Sequence, residues 1–271
     1  MSMKFTNRLV VTPGTKVKLS KYDPEETLGW DKGHKMKASL EKTIERIDEA
    51  QYLLYAEHKH ALLIVLQGMD ASGKDGVIRH VMRGLNPQGC VVTPFKKPSI
   101  EEASHDYLWR IHKAVPPAGD IGIFNRSHYE DVLVVRVHDL VKKEVWSKRY
   151  DQINGFEQML RENHVRTLKF FLHISKDEQK RRFQERIDDK KRRWKISEAD
   201  FAERKFWDEY TSAYEDALTR CSTAAAPWFV IPANKKWFRN LAVSHIIAET
   251  LEDMKMKFPT ATVDVSKIKL T

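Results

Sequence analysis

Two hydrophobic periods alternate along this chain. From Met36 to Leu54 the apolar residues recur every three or four positions, which predicts an amphipathic helix over residues 34–57. The run from Ala61 to Leu66 is apolar on both faces of a two-residue period, as expected for a central strand of a parallel sheet. Further strands are predicted at 91–95, 121–124, 168–174 and 228–231, the last as a buried edge strand. Helical stretches separate the strands, at about 75–85, 99–114, 127–162, 175–220 and 237–257.

This alternation of strands and helices predicts an α/β fold with right-handed crossovers and a parallel sheet. The 271 residues show no internal repeat, low-complexity tract or linker, so we expect a single domain over residues 34–271. Residues 1–33 are polar and contain turn signals at Pro13-Gly14 and Asp23-Pro24. They are expected to form an irregular N-terminal arm.

The composition is that of a globular protein, with 41% hydrophobic and 31% charged residues. Cys90 and Cys221 are distant in sequence and form no Cys-x-x-Cys pair, which argues against a disulfide framework or a thiolate zinc site. No apolar stretch resembles a secretory signal or reaches the roughly 20 residues of a membrane helix. We therefore expect a cytoplasmic protein with no membrane partner.

The net charge of +9 favours an anionic partner, which could be nucleic acid, a nucleotide, an acidic lipid or another polyanion. Between Lys176 and Lys195 ten Lys/Arg stand against five Asp/Glu, so over half of the net charge lies in one segment. Arg182 and Arg186 share a helix face there, and residues 190–193 form an unbroken cationic block. We predict a mobile lid at about 176–196 that stabilises charge during phosphoryl transfer. A solvated face and a nucleic-acid patch are the alternatives.

A phosphate loop is predicted directly after the first strand. The sequence Gly68-Met-Asp-Ala-Ser-Gly-Lys-Asp75 fits G-x-x-x-x-G-K, with aspartate where serine or threonine is usual. Glycine at both ends of the loop lets backbone N–H groups wrap around phosphate oxygens, and the following helix adds the positive end of its dipole. A glycine-rich turn without a ligand is the alternative. The residues expected to bind phosphate are Gly68, Ala71, Ser72, Gly73, Lys74, Asp75 and Gly76, with Lys96 and Lys235 outside the loop.

Two carboxylates flank the loop lysine, Asp70 within the loop and Asp75 after it. Mg²⁺ prefers oxygen ligands and keeps some of its waters, so Asp70 is a candidate metal ligand or water holder. Asp75 has a second interpretation, as a first-turn carboxylate that complements the helix dipole.

The exit of the third strand reads Asn125-Arg-Ser-His-Tyr-Glu-Asp131. Ligands of open α/β sheets bind outside the carboxyl ends of the strands, so Asn125, Arg126, Glu130 and Asp131 are expected near the phosphate site. We predict that Arg126 is a phosphate or site residue. Ser127 and Glu130 have an alternative interpretation as a helix capping box.

Cations also follow the second and fifth strands. Lys96 and Lys97 follow the second strand, and Asn234-Lys-Lys-Trp-Phe-Arg239 follows the fifth. The latter segment could stack a base or hold phosphates, and it could equally begin a solvated helix.

These motifs together resemble the family-2 polyphosphate kinases. The resemblance rests on Gln67–Gly76, Asn86-Pro87, Phe124–Val132, Phe171–Ser175, Arg193–Lys195 and Ile231–Lys235, and it spans residues 15 to 260. It implies a three-layer α/β/α P-loop kinase fold with a helical lid. It implies that Mg²⁺, with Mn²⁺ as an alternative, supports phosphoryl transfer between polyphosphate and nucleotides. It assigns metal to Asp70, phosphate to Lys74 and Arg126, and lid positions to Arg182, Arg186 and Arg193.

Positions 125 and 130 refine this expectation. Many family members have Asp at position 125 and Asn at position 130, whereas this chain has Asn125 and Glu130, as in the subgroup that phosphorylates both AMP and ADP. Glu130 thereby becomes a second candidate metal ligand. We expect a reversible transfer to AMP and ADP, with guanine nucleotides as alternative acceptors and no nucleic-acid partner. The resemblance also implies a homo-oligomer, with the 34–57 helix as a candidate contact. An ATP-dependent nucleoside monophosphate kinase and a nucleic-acid-binding P-loop protein are the alternatives.

Overall fold

The computed structural model describes residues 4–264 and residue 268 of the chain. All five predicted strands are confirmed. They are β1 (Ala61–Gln67), β2 (Cys90–Pro94), β3 (Ile121–Asn125), β4 (Val165–His173) and β5 (Trp228–Pro232). They form one parallel sheet in the order β2-β3-β1-β4-β5, in which Leu62 of β1 lies opposite Ile121 of β3 and Arg166 of β4. The carboxyl ends of all five strands therefore meet at one edge.

Eleven helices surround the sheet in the described part of the chain. They are α1 (Phe5–Leu9), α2 (His34–Glu57), α3 (Lys74–Val81), α4 (Ile100–Ser104), α5 (Trp109–His112), α6 (Val134–Val137), α7 (Lys143–Glu162), α8 (Lys176–Asp188), α9 (Glu198–Glu203), α10 (Trp207–Cys221) and α11 (Lys236–Asp253). Short 3₁₀ turns occur at Leu19–Lys21, Met82–Gly84, Pro87–Gly89, His128–Asp131, Arg193–Lys195 and Arg204–Phe206.

The sheet is the middle of three layers. Every residue of β1 is buried, as its apolar pattern predicts for the central strand. On one face of β4, Lys169 contacts Glu157 of α7 and Phe171 packs on Tyr214 of α10 with ring centroids 4.5 Å apart. Helices α2 and α3 pack with α11, which in turn contacts β4 and β5. The predicted α/β sandwich is confirmed.

Two predicted helical stretches are interrupted. Residues 127–162 form a 3₁₀ turn, the short α6 and the long α7, because Asp139 takes a left-handed conformation with φ of 51° between α6 and α7. The stretch 175–220 breaks after Asp188 and restarts at α9, where Ser197 and Asp200 form a capping box. The predicted lid at 176–196 therefore consists of α8 and the 3₁₀ turn Arg193–Lys195, and α9 begins just beyond it.

The predicted N-terminal arm packs on the domain. Phe5, Leu9 and Val11 are buried in the same hydrophobic cluster as the sheet. Val10 forms an antiparallel bridge with Phe229 of β5, so this arm covers one edge of the sheet. Residues 1–3 of the arm, and residues 265–267 and 269–271 at the end of the predicted domain, lie outside the described residues. Within the described ranges, none of the helices combines the length and apolar character that crossing a bilayer requires.

Candidate active site

The phosphate loop lies between β1 and α3, as predicted. Gly68 has a φ of 148°, and a side chain there would place its Cβ 2.8 Å from the Leu172 carbonyl oxygen. Gly73 has a φ of 104° and caps α3, and its Cβ would collide with the guanidinium of Arg239. Both glycines are therefore required by backbone conformation and by close neighbours. Ala71 also takes a left-handed φ of 62°, so the loop curls tightly on itself.

Lys74, the first residue of α3, points its ammonium group back over the loop. Its Nζ donates a hydrogen bond to the Gly68 carbonyl at 2.8 Å. Burial and the nearby Arg126 lower the pKa of Lys74, while Asp70 and Glu130 oppose that shift. The lysine is thus placed where the loop backbone would meet a phosphate, as the motif predicts.

Ser72 stabilises the loop and does not line its surface. The residue is fully buried, and its backbone N–H donates to the Met69 carbonyl at 3.0 Å. This corrects the expectation that Ser72 offers a backbone donor to phosphate, because that donor is already used. The predicted residues Ala71, Gly73, Lys74, Asp75 and Gly76 do line a cavity above the loop, and Gly68 lines a second cavity beside it.

Arg126 joins two carboxylates at the exit of β3. Its Nη2 donates to Asp70 Oδ1 at 2.9 Å, and its Nη1 lies 3.9 Å from Glu130 Oε2. Burial alone would lower the pKa of Arg126, but Glu130 and Asp70 outweigh burial and raise it. The Arg126 backbone is left-handed, with a φ of 64°, which turns the chain sharply after the strand. Arg126 and the two carboxylates that the sequence predicts as candidate metal ligands thus form one contiguous group.

Ser127 caps the 3₁₀ turn, but Glu130 does not complete a capping box. The Ser127 hydroxyl accepts a hydrogen bond from the Tyr129 N–H at 3.2 Å. The Glu130 carboxylate instead accepts a hydrogen bond from Gln67 Nε2 at 3.2 Å. Glu130 therefore faces the loop and is available to the site.

Asp131 and Asp75 have separate partners. Asp131 Oδ1 accepts from Arg149 Nη1 at 2.9 Å, and burial raises the pKa of Asp131 to about 6 even though Arg149 opposes that shift. Asp75 Oδ1 accepts from Asn125 Nδ2 at 2.9 Å, so this carboxylate is linked to the end of β3. Asp75 lines the large cavity and Asp131 lines neither cavity, so only Asp75 is part of the site.

Arg182 does not belong to a mobile lid. Its side chain is buried, with Nη1 donating to the Ala71 and Ser72 carbonyls at 2.9 and 2.8 Å. Its Nη2 donates to the Ala233 and Asn234 carbonyls, and its Nε donates to Glu178 at 2.6 Å. This corrects the sequence-based expectation, because these bonds fasten the loop to the exit of β5 instead of leaving the guanidinium free for a lid.

The other predicted lid cations take different positions. Arg186 lines the large cavity, with its guanidinium over the Phe183 ring at 5.4 Å from the centroid. Arg193 does not line the cavity, and its Nε donates to the Ile187 carbonyl at 2.7 Å. Its neighbours Arg192, Trp194 and Lys195 line the cavity instead. Two residues of the cationic block, Lys191 and Arg192, thus line the cavity, whereas Lys190 and Arg193 do not.

Of the two predicted outlying lysines, Lys96 lines the cavity and Lys235 does not. Lys235 is the exposed residue before α11, whereas Lys236 lines the cavity and pairs with Glu185 at 3.2 Å. Arg239, one turn further along α11, also lines it. The direction in which each side chain projects from the start of α11 decides which of these cations faces the site, and the strand-exit motif alone does not fix that direction.

Two cavities meet at the carboxyl edge of the sheet. The larger, of about 1220 Å³, is lined by twelve Lys/Arg and five Asp/Glu. The smaller, of about 310 Å³, is lined by four Asp/Glu, two arginines and the aromatic residues Trp207, Tyr210 and Tyr214. Asp70, Arg126 and Asp200 line both cavities. The site therefore has a cationic chamber and an acidic, aromatic chamber that share one wall.

Sequence reasoning did not find the acidic, aromatic chamber. Its predicted residues Asp70, Arg126 and Glu130 lie at the loop and the β3 exit, but most of its other residues come from α8, α9, α10 and the segments between them, which no local motif marks. Gln179 Nε2 donates to the Asp70 carbonyl at 2.9 Å, and Arg204 Nη1 donates to Gln179 Oε1 at 2.8 Å. The sequence signal for them is the aromatic content of 207–214, which alone is equally typical of a core helix.

A buried polar network lies behind Arg126 and Glu130. Lys169 on β4 is fully buried, and its Nζ donates to Glu157, to the Tyr129 hydroxyl at 2.7 Å and to the Cys221 carbonyl at 2.6 Å. Glu157 also accepts from Tyr129 at 2.9 Å and contacts His128 at 3.2 Å. Because His128 and Tyr129 lie between Arg126 and Glu130 in sequence, the network fixes the turn that presents both.

Comparison with known proteins decides the family. The sequence model of "Polyphosphate kinase 2 (PPK2)" matches residues 31–259. The chain belongs to the polyphosphate kinase 2 family. This polyphosphate kinase is accordingly an enzyme that transfers phosphate, and the resemblance found in the sequence is confirmed.

Individual relatives agree with the family assignment. The kinase is 50% identical over 261 residues to the AMP/ADP-polyphosphate phosphotransferase of Meiothermus ruber, covering 95% of this chain and 97% of that protein. It is 46% identical over 269 residues to the ADP-polyphosphate phosphotransferase of Rhodopseudomonas palustris, covering 95% and 93%. The crystal structure of polyphosphate kinase 2 from Arthrobacter aurescens TC1 superposes with a TM-score of 0.93 at 43% identity, covering 98% and 95%. The predicted P-loop kinase fold is therefore confirmed.

Proposed function

We propose that this kinase transfers the terminal phosphoryl group of inorganic polyphosphate to AMP and to ADP, reversibly. The observation that supports this proposal best is the pair of cavities of opposite character that meet at Asp70 and Arg126. Relatives that are about half identical have names that include AMP, ADP and polyphosphate, which agrees with two such substrates.

The larger cavity suits a polyanion. Its excess of seven Lys/Arg over Asp/Glu lies around the loop, the lid and α11. A linear polyphosphate has about one negative charge per phosphate, so a track of cations binds it with release of counterions, as with nucleic acids. A single nucleotide phosphate group would leave most of these cations without a partner.

The smaller cavity suits the nucleotide acceptor. Its volume of about 310 Å³ is at the lower end of small-molecule pockets. Aromatic rings offer a stacking surface for a purine, and the carboxylates accept hydrogen bonds from ribose hydroxyl or base amino groups. Arg126 and Arg204 are the cations that would orient its phosphate. Adenine nucleotides are proposed, with guanine nucleotides as alternative acceptors.

Transfer at the shared wall would be an in-line displacement. An oxygen of the acceptor phosphate attacks the terminal phosphorus of polyphosphate, and the bond from that phosphorus to the bridging oxygen breaks. Polyphosphate shortened by one unit then leaves. Lys74 and Arg126 hold the phosphates and compensate their charge, since phosphoryl transfer depends mainly on positioning and electrostatics.

Asp70 is the proposed protein contact for Mg²⁺, with Mn²⁺ as an alternative and Glu130 as a second oxygen donor. Among the described residues no group of three or more His, Cys, Asp or Glu could hold a metal ion. This donor set fits Mg²⁺, which is commonly bound by one or two carboxylates together with substrate phosphates. When bound, the ion neutralises charge on donor and acceptor phosphates. Both carboxylates now contact Arg126 and face the shared wall.

Two further features belong to this proposal. A cytoplasmic setting agrees with Cys90 and Cys221, which are both free cysteines. Homo-oligomerisation through α2 agrees with exposed Tyr52, which packs against the equally exposed Phe258 with ring centroids 5.9 Å apart. No nucleic-acid partner is proposed, and a gel shift with random duplex DNA tests that point.

The decisive experiment is incubation with polyphosphate and AMP in the absence of ATP. We expect ADP first and ATP later, and no product when Mg²⁺ is removed with a chelator. A parallel reaction with ATP and AMP tests the alternative of a nucleoside monophosphate kinase. ADP formed only in that second reaction would contradict the proposal.

A pair of variants tests the division of the site. Tyr210→Leu alters the small cavity and Lys96→Ala the large one. We expect the first to raise KM for AMP with little change for polyphosphate, and the second to do the reverse. If both variants raised KM for the same substrate, the assignment of one substrate to each cavity would be contradicted.

A further inference from the structure

Arg239 is a buried cation without an anionic partner in the described part of the chain. It lies in the first turn of α11 and is 3% exposed. Its Nε and Nη2 donate to Asn240 Oδ1 at 3.1 and 2.8 Å, and its Nη1 reaches the Ser72 carbonyl at 3.4 Å. Arg182 beside it differs, because Glu178 neutralises that arginine at 2.6 Å.

The burial of this charge is unfavourable unless an anion completes the site. Burial and the adjacent Arg182 lower the pKa of Arg239 to about 9. A guanidinium has five N–H donors, and Arg239 uses three of them on neutral acceptors. Two N–H groups are thus left without an acceptor among the described residues. An uncompensated charge in a protein interior normally costs stability, so the arginine is better explained by a ligand than by the fold.

Two glycines leave room for this guanidinium at the wall of the large cavity. A Cβ at Gly76 would lie 2.8 Å from Arg239 Nη2, and one at Gly73 would collide with Nη1. Gly76, the second glycine of Gly-Lys-Asp-Gly, is needed because a side chain there would block the approach of Arg239 to the first turn of α3. Arg239, Gly73 and Gly76 all line the large cavity, together with Arg79 and His80 from the next turn of α3.

We propose that Arg239 binds an internal phosphate of the polyphosphate chain, in a subsite formed with Arg79 and His80. Asp70 and Arg126 line both cavities, whereas Arg239 lines only the large one. The phosphate at Arg239 is therefore a different one from the reacting phosphate at the shared wall. This inference rests on the proposed function, because it takes polyphosphate as the occupant of the large cavity.

The test measures stability and polyphosphate binding without nucleotide, so that turnover is not needed. Arg239→Met removes the charge and keeps much of the packing volume. We expect its thermal midpoint without ligand to equal or exceed that of the wild type, because an unpaired buried charge is lost. We expect its affinity for a long polyphosphate to fall about tenfold, as for loss of a charged hydrogen bond. The slope of log affinity against log salt should become shallower by about one unit.

Two further variants act as controls. Arg161→Met removes the same charge from an exposed residue of α7 near the amino end of β4, so its affinity and salt slope should match the wild type. Arg239→Lys retains the charge but lacks the guanidinium fork, so its affinity should lie between those of Arg239→Met and the wild type.

The possible results separate three interpretations. An Arg239→Met protein that fails to fold, or that retains the wild-type salt slope, would show that Arg239 is structural and would overturn this inference. Wild-type protein that neither binds polyphosphate nor uses it as a donor would instead overturn the proposed function. If the wild type binds polyphosphate and uses it as a donor, and Arg239→Met binds it more weakly with a shallower salt slope, the proposed function and this inference are both supported.

Discussion

Asn125 Nδ2 donates a hydrogen bond to Asp75 Oδ1 at 2.9 Å, and this contact joins the end of β3 to the first turn of α3. Both residues line the large cavity. Because the donor is a neutral amide, the Asp75 carboxylate has a partner here without the addition of a second charge. The contact explains how the chain accommodates aspartate where other phosphate loops have serine or threonine.

Asn125→Asp should make this contact repulsive. Two carboxylates at such a distance repel by about 1 to 4 kcal/mol, for dielectric constants between those of water and a protein surface. We expect a lower thermal midpoint at pH 7.5, and recovery on addition of Mg²⁺. Asn125→Ser, which loses the hydrogen bond without adding charge, is the control. Equal losses in the two variants at pH 7.5 would show that repulsion is not the cause.

Lys74→Ala should reduce phosphoryl transfer by at least about 10² to 10³-fold, as for the loss of one transition-state donor. Among the described residues its side chain hydrogen-bonds only to loop carbonyls, so the fold should persist. Steady-state rates with polyphosphate and ADP, alongside circular dichroism, measure both effects. A well-folded variant with near-normal turnover would remove Lys74 from the proposed machinery.

Arg182 and Arg193 should respond in opposite ways to replacement by alanine. Arg182→Ala strips donors from four backbone carbonyls of the loop and the β5 exit, and should lower the free energy of unfolding by about 3 to 5 kcal/mol. Arg193 is exposed, so Arg193→Ala should change the free energy of unfolding by less than about 0.5 kcal/mol. Urea titrations compare the two directly. Similar stability in both variants would refute the anchoring role of Arg182.

Glu130→Gln should depress AMP phosphorylation more than ADP phosphorylation. Glu130 lines the small cavity, and AMP offers fewer oxygens to the metal than ADP does. The expected difference is about tenfold in kcat/KM, or about 1.4 kcal/mol of transition-state stabilisation. Both acceptors are measured at saturating polyphosphate and Mg²⁺. Equal losses would mean that Glu130 serves both acceptors alike.

Salt should weaken the two substrates unequally. The large cavity has twelve Lys/Arg, whereas the small one has two arginines among four carboxylates. Polyphosphate affinity should therefore fall steeply on a log–log plot against salt, and AMP affinity much less. Titrations of each ligand alone at several salt concentrations test this. Parallel slopes would contradict the charge separation between the cavities.

The strands and the phosphate loop could be predicted from the sequence because their signals are local. A fully apolar run such as Ala61–Leu66 requires burial on both faces, and only glycine tolerates the backbone at Gly68 and Gly73 without strain. Arg126 was found for the same reason, because it follows a strand whose carboxyl end must lie at the site.

The roles of individual cations could not be predicted because they depend on tertiary partners. Arg182 and Arg186 are one helical turn apart and both line the large cavity, yet the first is buried and bonded to backbone carbonyls, whereas the guanidinium of the second lies over the Phe183 ring. Lys235 and Lys236 differ only in helix phase. Nor does any local pattern reveal that Arg239 has no carboxylate partner in the part of the chain that the structure describes, since that property depends on every side chain packed around it.

Asp70 and Arg126 form the wall between the cavities, so a ligand bound in one cavity would change the affinity of the other cavity for its own ligand. Any phosphate that draws Arg126 away from Asp70 changes the charge presented to the neighbouring chamber, so donor and acceptor affinities are linked. That linkage is reciprocal: the factor by which polyphosphate alters AMP affinity equals the factor by which AMP alters polyphosphate affinity. If polyphosphate and the nucleotide occupy the two cavities as proposed, this ion pair makes them heterotropic ligands of one another.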